Sequence, residues 1–258
     1  FVSNGYDTPE SVSMMNEFLD GITVDFKGSA EKEFTRKFIG VPDPQPIFDT
    51  LLEIRDKTKI HVEITDLIVP KVGDDLEHAR KLSKFIYDEF GSEMPIHFLR
   101  FHPDYKMMEY PSTPVETLEK HYQVAKDVGL KYVYLGNVPG HKWEHTYCSE
   151  CNKIVVNRYG FSIREWHLDK NNCCEFCGNK IPIEGKLQEP HHNILQYTPD
   201  TYDIYNDSQI KELDIIIKKQ LKEHKIKDTS LIDINEKYLY IQELKNKDVF
   251  VYNVYNDK

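Results

Sequence analysis

Between residues 1 and 140 the hydrophobic period switches repeatedly between 3.6 and two, and that alternation limits the fold more than any other feature. Thr8 can cap a helix with Pro9 at its first position, and Val12, Met15, Phe18 and Leu19 supply one apolar face. GITVDFKG (21–28) alternates as a strand, followed by a short helix from Ser29 that Gly40 stops. A helix near 46–57 carries Ile47, Leu51 and Ile54, and HVEITDLIVP (61–70) is a strand closed by Pro70. A helix at 74–90, with Leu76, Ala79, Leu82, Ile86 and Phe90 on one face, ends at Gly91, and PIHFLRF (95–101) is the next strand. Thr113 and Pro114 open a helix through Val115, Leu118, Tyr122 and Ala125 that Gly129 stops, and KYVYLGN (131–137) ends the series. With the strand that opens the chain at FVSN, about five strands result, too far apart in sequence for hairpins, which predicts a parallel sheet with helices outside. Five strands do not close an eight-stranded barrel, so the expected fold is α/β, an open sheet or a partial β/α barrel.

The expected organisation is the β/α unit over 1–140, a cysteine module over 141–185 and an α+β tail over 186–258. After Leu187 the composition shifts towards Asn, Asp, Lys, Tyr and Ile. A helix near 208–224 would place Ile210, Leu213, Ile217 and Leu221 on one face. KYLYIQEL (237–244) and DVFVYNVY (248–255), separated by KNK, form a candidate hairpin. A chain of 258 residues has room for one sizeable core and a smaller module. Its net charge of −10, from 33 basic and 43 acidic residues, argues against a large nucleic-acid or anionic-membrane footprint. No apolar run reaches the roughly 18 residues that span a bilayer.

All five cysteines lie between Cys148 and Cys177. Cys148 and Cys151 form one CxxC, Cys174 and Cys177 a second, with 22 residues between. Four thiolates at this spacing suit tetrahedral zinc, each CxxC turn presenting two sulfurs to one ion. Gly178 suits the tight turn of such a knuckle. The gap can hold a hairpin made by KIVVNRYG and FSIREWHL. An ion that takes four thiolates keeps no open position for chemistry, so the expected role is structural. A rubredoxin-like iron site is the alternative. Cys173 is a spare thiol. The clustering points to a reducing compartment, hence a cytoplasmic location.

Period two in ITVDFK puts Thr23, Asp25 and Lys27 on one face of their strand and Ile22, Val24 and Phe26 on the other. Helices cover the apolar side of a parallel strand, so Asp25 and Lys27 face inward or sit at the carboxyl end, where such sheets bind ligands. A salt-bridged edge strand would show the same pattern. PIHFLRFHPDYK adds His97, Arg100, His102 and Lys106, and EITD offers Glu63 and Thr65 on one face with Asp66 on the other. His191 and His192 are adjacent rather than at chelating spacing and read as surface.

SNGY, VDFKG, EITDLIVP, PIHFLRFHPDYKM, TPVETLE, GLKYVYLGNVPGH and TYCSEC follow one another in this order. Together they resemble the radical SAM enzymes of the AmmeMemoRadiSam system, relatives of pyruvate formate-lyase activating enzymes, over about residues 1–185. The resemblance implies a partial β/α barrel followed by the four-cysteine module. It also implies reductive cleavage of S-adenosylmethionine by a [4Fe–4S] cluster, giving a 5′-deoxyadenosyl radical. It places Ser3 and Asn4 at a strand end lining the cofactor pocket, and Asp25, Lys27 and His97 on the ribose or methionine part. The cluster-binding CxxxCxxC loop and the Gly-Gly-Glu strand end belong before SNGY in that family, so this chain is expected not to assemble the cluster by itself. Gly73 stands in VPKVGDDLE where the family usually has Asn. The family association suggests Memo-type and AMMECR-type proteins as partners. It names no substrate and no catalytic residue. The competing readings are a non-catalytic zinc-ribbon module that binds a partner, and an aldolase-type Schiff base on Lys27.

Overall fold

The computed structural model describes residues 1–187 and the backbone of 238–243 and 248–253. Residues 1–190 form one compact unit and 191–258 a second. In the first unit, strands β1 (Val2–Ser3), β2 (Gly21–Lys27), β3 (His61–Ile68), β4 (Ile96–Arg100) and β5 (Val133–Gly136) make a parallel sheet in strict sequential order. Between them run α1 (Pro9–Met15), α2 (Lys32–Phe34), α3 (Gln45–Lys57), α4 (Leu76–Phe90) and α5 (Val115–Val128). Right-handed crossovers in sequential order leave every helix on the same side, whereas a doubly wound sheet reverses direction and covers both. This is the arrangement of an arc of a β/α barrel.

The core follows that geometry. Ile22, Val24 and Phe26 of β2, Val62, Ile64 and Ile68 of β3, and Ile96 and Phe98 of β4 pack against Val12, Leu51, Ile54, Leu82, Ile86 and Leu118 of the helices. Alternate residues Thr23, Asp25, Lys27, His61, Glu63 and Thr65 stay only half-buried. The helix starts are locally specified: Thr8 makes a capping box with Ser11, and Asp75 accepts from the Glu77 and His78 backbone amides. Gly129 ends α5 in the left-handed conformation.

Two details depart from expectation. Phe18 lies beyond the end of α1 and is exposed, because the helix stops at Met15. The segment after β2 does not start a helix at Ser29. Instead Gly28, Ser29 and Ala30 all have positive φ (59°, 53° and 59°), and helix proper begins at Lys32 before a wide turn that Gly40 closes. The turn is held by Asp66, which is fully buried on the helix-covered face and accepts from Ser29 N (2.9 Å) and Ser29 Oγ (2.6 Å). Gly28 and Gly73 pack backbone to backbone beneath Phe34: a Cβ on Gly73 would lie 2.9 Å from Gly28 Cα. The sequence departure at position 73 thus sits where the turns after β2 and β3 touch.

The cysteine segment contributes an antiparallel sheet of β6 (Thr146–Tyr147), β7 (Ile154–Tyr159) and β8 (Ser162–Trp166), the expected hairpin between the CxxC pairs. Its core of Cys148, Val155, Val156, Leu168, Cys174 and Ile181 includes Tyr132 and Tyr134 at β5. In the second unit β9 (Tyr238–Glu243) pairs antiparallel with β10 (Asp248–Asn253), as the hairpin pattern predicts. The helix expected near 208–224 and the His191–His192 pair lie outside the described residues. Among the described residues no helix is long and apolar enough to cross a membrane.

Candidate functional site and metal centre

The register places Asp25 opposite Thr65, Thr65 opposite His97, and His97 opposite Tyr134, one line of side chains across β2 to β5 on the face that helices leave uncovered. Two hydrogen-bonded groups occupy it. In the first, Asp25 accepts from Lys27 Nζ at 2.6 Å and from Thr65 Oγ1 at 2.8 Å, each of its oxygens taking one donor. Two residues apart on one strand, Asp25 and Lys27 share a face by period alone. In the second, Glu63 is held by His97 Nε2 at 2.9 Å and by His61 Nε2 at 3.3 Å. Burial opposes ionisation of Glu63, but the hydrogen bonds and positive charge of the two histidines outweigh it and hold the carboxyl well below the usual range. These side chains retain a quarter to a third of their exposure, so the face is open to a solute.

Tyr134 closes the β5 side. Its ring stacks on His97 with centroids 4.6 Å apart and planes 18° apart. Its hydroxyl meets Thr146 Oγ1 at 3.1 Å, and Arg158 donates to the same threonine oxygen at 2.6 Å. Burial pushes the Tyr134 phenol up to about 12. The cysteine module therefore walls the polar face at β5.

Of the five residues expected to bind a cofactor, Asp25, Lys27 and His97 come together on this face. Ser3 and Asn4 belong to a different network. Ser3 stands opposite Val24, on the helix-covered side, where its Oγ donates to Asp7 Oδ2 (2.8 Å) and accepts from Gly5 N (3.0 Å). Asn4 is exposed at the carboxyl end of β1, its Oδ1 accepting from Tyr6 N. Arg100 donates to Thr113 O, and the 102–110 loop carrying His102 and Lys106 follows it. The pairing of Glu63 with His97 and the stacking of Tyr134 were not readable in sequence. The only signal was that Glu63, Thr65 and Asp25 share the polar period.

The candidate metal centre has Cys148, Cys151, Cys174 and Cys177 with all four sulfurs within 4.8 Å of one another. Cys148 and Cys177 sulfurs are 3.5 Å apart, Cys151 and Cys174 sulfurs 3.7 Å. Tetrahedral ligands about 2.3 Å from one ion stand about 3.75 Å apart, so the site fits a single four-coordinate ion. A [4Fe–4S] cube attaches each thiolate to a different iron and spreads the sulfurs further, so these residues do not fit one. Two equivalent turns build the site. Cys148 N donates to Lys153 O with Asn152 at φ 57°, and Cys174 N donates to Asn179 O with Gly178 at φ 80°. Asn152 is the left-handed residue of the first knuckle, doing what Gly178 does in the second. Burial pushes the Cys148 thiol up, but the amides of Cys151 and Glu150 outweigh it and bring it down to about 7. The Asn179 amide favours the Cys177 thiolate, but desolvation and three neighbouring sulfurs outweigh it and push the thiol to about 12. Four thiolates this close need a cation.

No family model matches the chain. The uncharacterized protein MJ0808 of Methanocaldococcus jannaschii is 40% identical over 183 residues, which is 70% of this chain and 53% of that protein. The chain thus spans about half the length of the curated relative it matches. Among solved structures, a domain of a pyruvate-formate lyase-activating enzyme from Bacteroides vulgatus aligns with a TM-score of 0.42 and 17% identity over 50% of this chain and 74% of that one. A radical SAM methyltransferase from Sphaerobacter thermophilus aligns with a TM-score of 0.40 and 12% identity over 53% of this chain and 40% of that one.

Proposed function

We propose that this chain carries the S-adenosylmethionine-binding wall of a radical SAM enzyme related to pyruvate formate-lyase activating enzymes, within the AmmeMemoRadiSam system. The observation that carries the reading is the line Asp25, Thr65, His97 on the one helix-free face of a sequential parallel sheet, with Lys27 beside it. Asp25 offers carboxylate oxygens to ribose hydroxyls or to an ammonium group, Lys27 an ammonium to the methionine carboxylate, and His97 a ring nitrogen. Lys27 is paired with Asp25 at 2.6 Å, so binding would exchange that pair for contacts with the ligand. Asn4, exposed at the carboxyl end of β1, belongs to the rim in this reading, and Ser3 holds that strand end from the helix-covered side. A [4Fe–4S] cluster would supply the electron that cleaves the sulfonium. In this reading its thiolates come from a CxxxCxxC segment and not from the four-cysteine site, whose sulfurs stand too close for a cube.

The four-cysteine module holds one zinc ion in this reading. It is structural, because four thiolates complete the coordination. The cytoplasm suits free thiols of this kind. Memo-type and AMMECR-type proteins are the proposed partners, and Asp25, Lys27 and His97 the proposed ligand contacts.

Calorimetric titration with S-adenosylmethionine tests the reading. Binding that Asp25→Asn and Lys27→Ala each weaken supports it. Undetectable binding to a cluster-loaded chain extended upstream would remove it and favour a zinc-stabilised partner-binding module. Zinc at about one per chain, with no iron, is the result expected for the module as isolated.

A further inference from the structure

One carboxylate between two imidazoles is more than ligand contact on this face requires. An ionised carboxylate only accepts hydrogen bonds, so both contacts of Glu63 require a proton on the Nε2 atoms of His61 and His97. Glu63 is kept ionised by those same neighbours. His97 Nδ1 has no hydrogen-bond partner among the described residues, while the ring plane is fixed by the Tyr134 stack. Flipping the ring would put a carbon where Nε2 meets Glu63 and forfeit that bond.

We infer that Glu63 is a positioning residue that fixes neutral His97 as its Nε2–H tautomer, leaving Nδ1 as a hydrogen-bond acceptor for a hydroxyl or ammonium donor of the ligand. The inference rests on the proposed reading that His97 touches a ligand on this face. It assigns His97 the same polarity as Asp25, two strands away in the same row, so the row selects a ligand rich in donors. A ribose diol and a methionine ammonium satisfy that description. His61 holds Glu63 from the amino-terminal side of β3, which keeps the carboxylate turned to the histidines rather than to solute.

Long-range proton–nitrogen spectra of the imidazoles at about pH 8, above the ordinary histidine range, report the tautomer without any ligand. The wild type is expected to show His97 as Nε2–H. In Glu63→Gln the amide can accept from one ring and must donate to the other, so an Nδ1–H tautomer should appear at His61 or His97. Where that tautomer falls on His97, affinity for S-adenosylmethionine should drop about tenfold, the loss of one hydrogen bond to a charged group, with Glu63→Asp recovering part of it. A wild-type His97 in the Nδ1–H form overturns the inference. So does a Glu63→Gln protein, folded by circular dichroism, with unchanged tautomers and unchanged affinity. If S-adenosylmethionine does not bind the cluster-loaded chain extended upstream either, the proposed function falls, and the spectra still decide the role of Glu63.

Discussion

Glu63 and Asp66 lie three residues apart on β3, on opposite faces of the sheet, and their environments push them in opposite directions. Asp66 is fully buried among helix-packing residues, and desolvation raises its carboxyl despite the two Ser29 hydrogen bonds. Glu63 also pays for burial, yet its partners are imidazoles that carry positive charge when protonated, and the balance falls. The pair teaches that burial alone does not set the ionisation of a carboxylate. The balance of donors and neighbouring charges decides it: full burial and the nearby Asp25 charge prevail at Asp66, two chargeable imidazoles at Glu63. The functional difference follows: Asp66 shapes a backbone turn, whereas Glu63 orients a side chain on an open face.

The largest expected effect comes from outside both carboxylates. Cys151→Ser removes a thiolate from the metal centre, and a structural four-thiolate site contributes on the order of 10 kcal/mol of apparent folding energy to its module. Metal content should drop to zero and limited proteolysis should cut between β6 and residue 185. If the module stays protease-resistant without metal, its core with Tyr132 and Tyr134 suffices, and the wall beside His97 does not depend on the ion.

Next, Asp66→Ala should cost about 2–4 kcal/mol in urea unfolding, since it strands the buried Ser29 donors and a turn of three positive-φ residues. Glu63→Ala, on the open face, should cost less than about 1 kcal/mol. Equal costs would break the contrast between a structural and a functional carboxylate.

A pH series sharpens the same comparison. The folded value of Glu63 is lowered, so its stabilisation is present above its ordinary 4.5 and lost as pH falls through the folded value. The deficit of Glu63→Gln against wild type should therefore be present above about pH 4.5 and shrink as pH falls below it. Asp66 is raised from 3.8, so its contribution is present below that value and lost as pH rises through the folded value. Asp66→Asn should gain on the wild type as pH rises. Urea midpoints that move the same way in both variants would refute the opposed assignments.

The smallest effect is at Tyr134. Tyr134→Phe keeps the His97 stack and loses the Thr146 hydrogen bond, about 1 kcal/mol. Tyrosine absorbance in alkaline titration should lose one late-ionising phenol, the one pushed up to about 12.

Much of this architecture was legible in the sequence, and the failures have local causes. Strand and helix order, the Thr8 cap, the Gly129 stop, the hairpin between the CxxC pairs and the convergence of the four CxxC cysteines all rest on spacing within a few residues or on one repeated motif. Phe18 continues the helical period past the point where α1 ends. Sequence predicts helix at Ser29 because nothing near it announces that Asp66, 37 residues on, holds a turn there. Asn152 gives little sign of its left-handed turn, because asparagine advertises one less plainly than glycine.

The sequence by itself determined that strands and helices alternate, that one face of β2 and β3 is polar, and that four thiolates can converge, since periodicity and short spacing are properties of the local chain. Tertiary structure alone decided that His97 meets Glu63, 34 residues away, that Tyr134 stacks upon it, and that the cysteine module stands beside both. Those contacts depend on strand register and on which strand neighbours which, and one residue of slip would turn every one of these side chains to the other face.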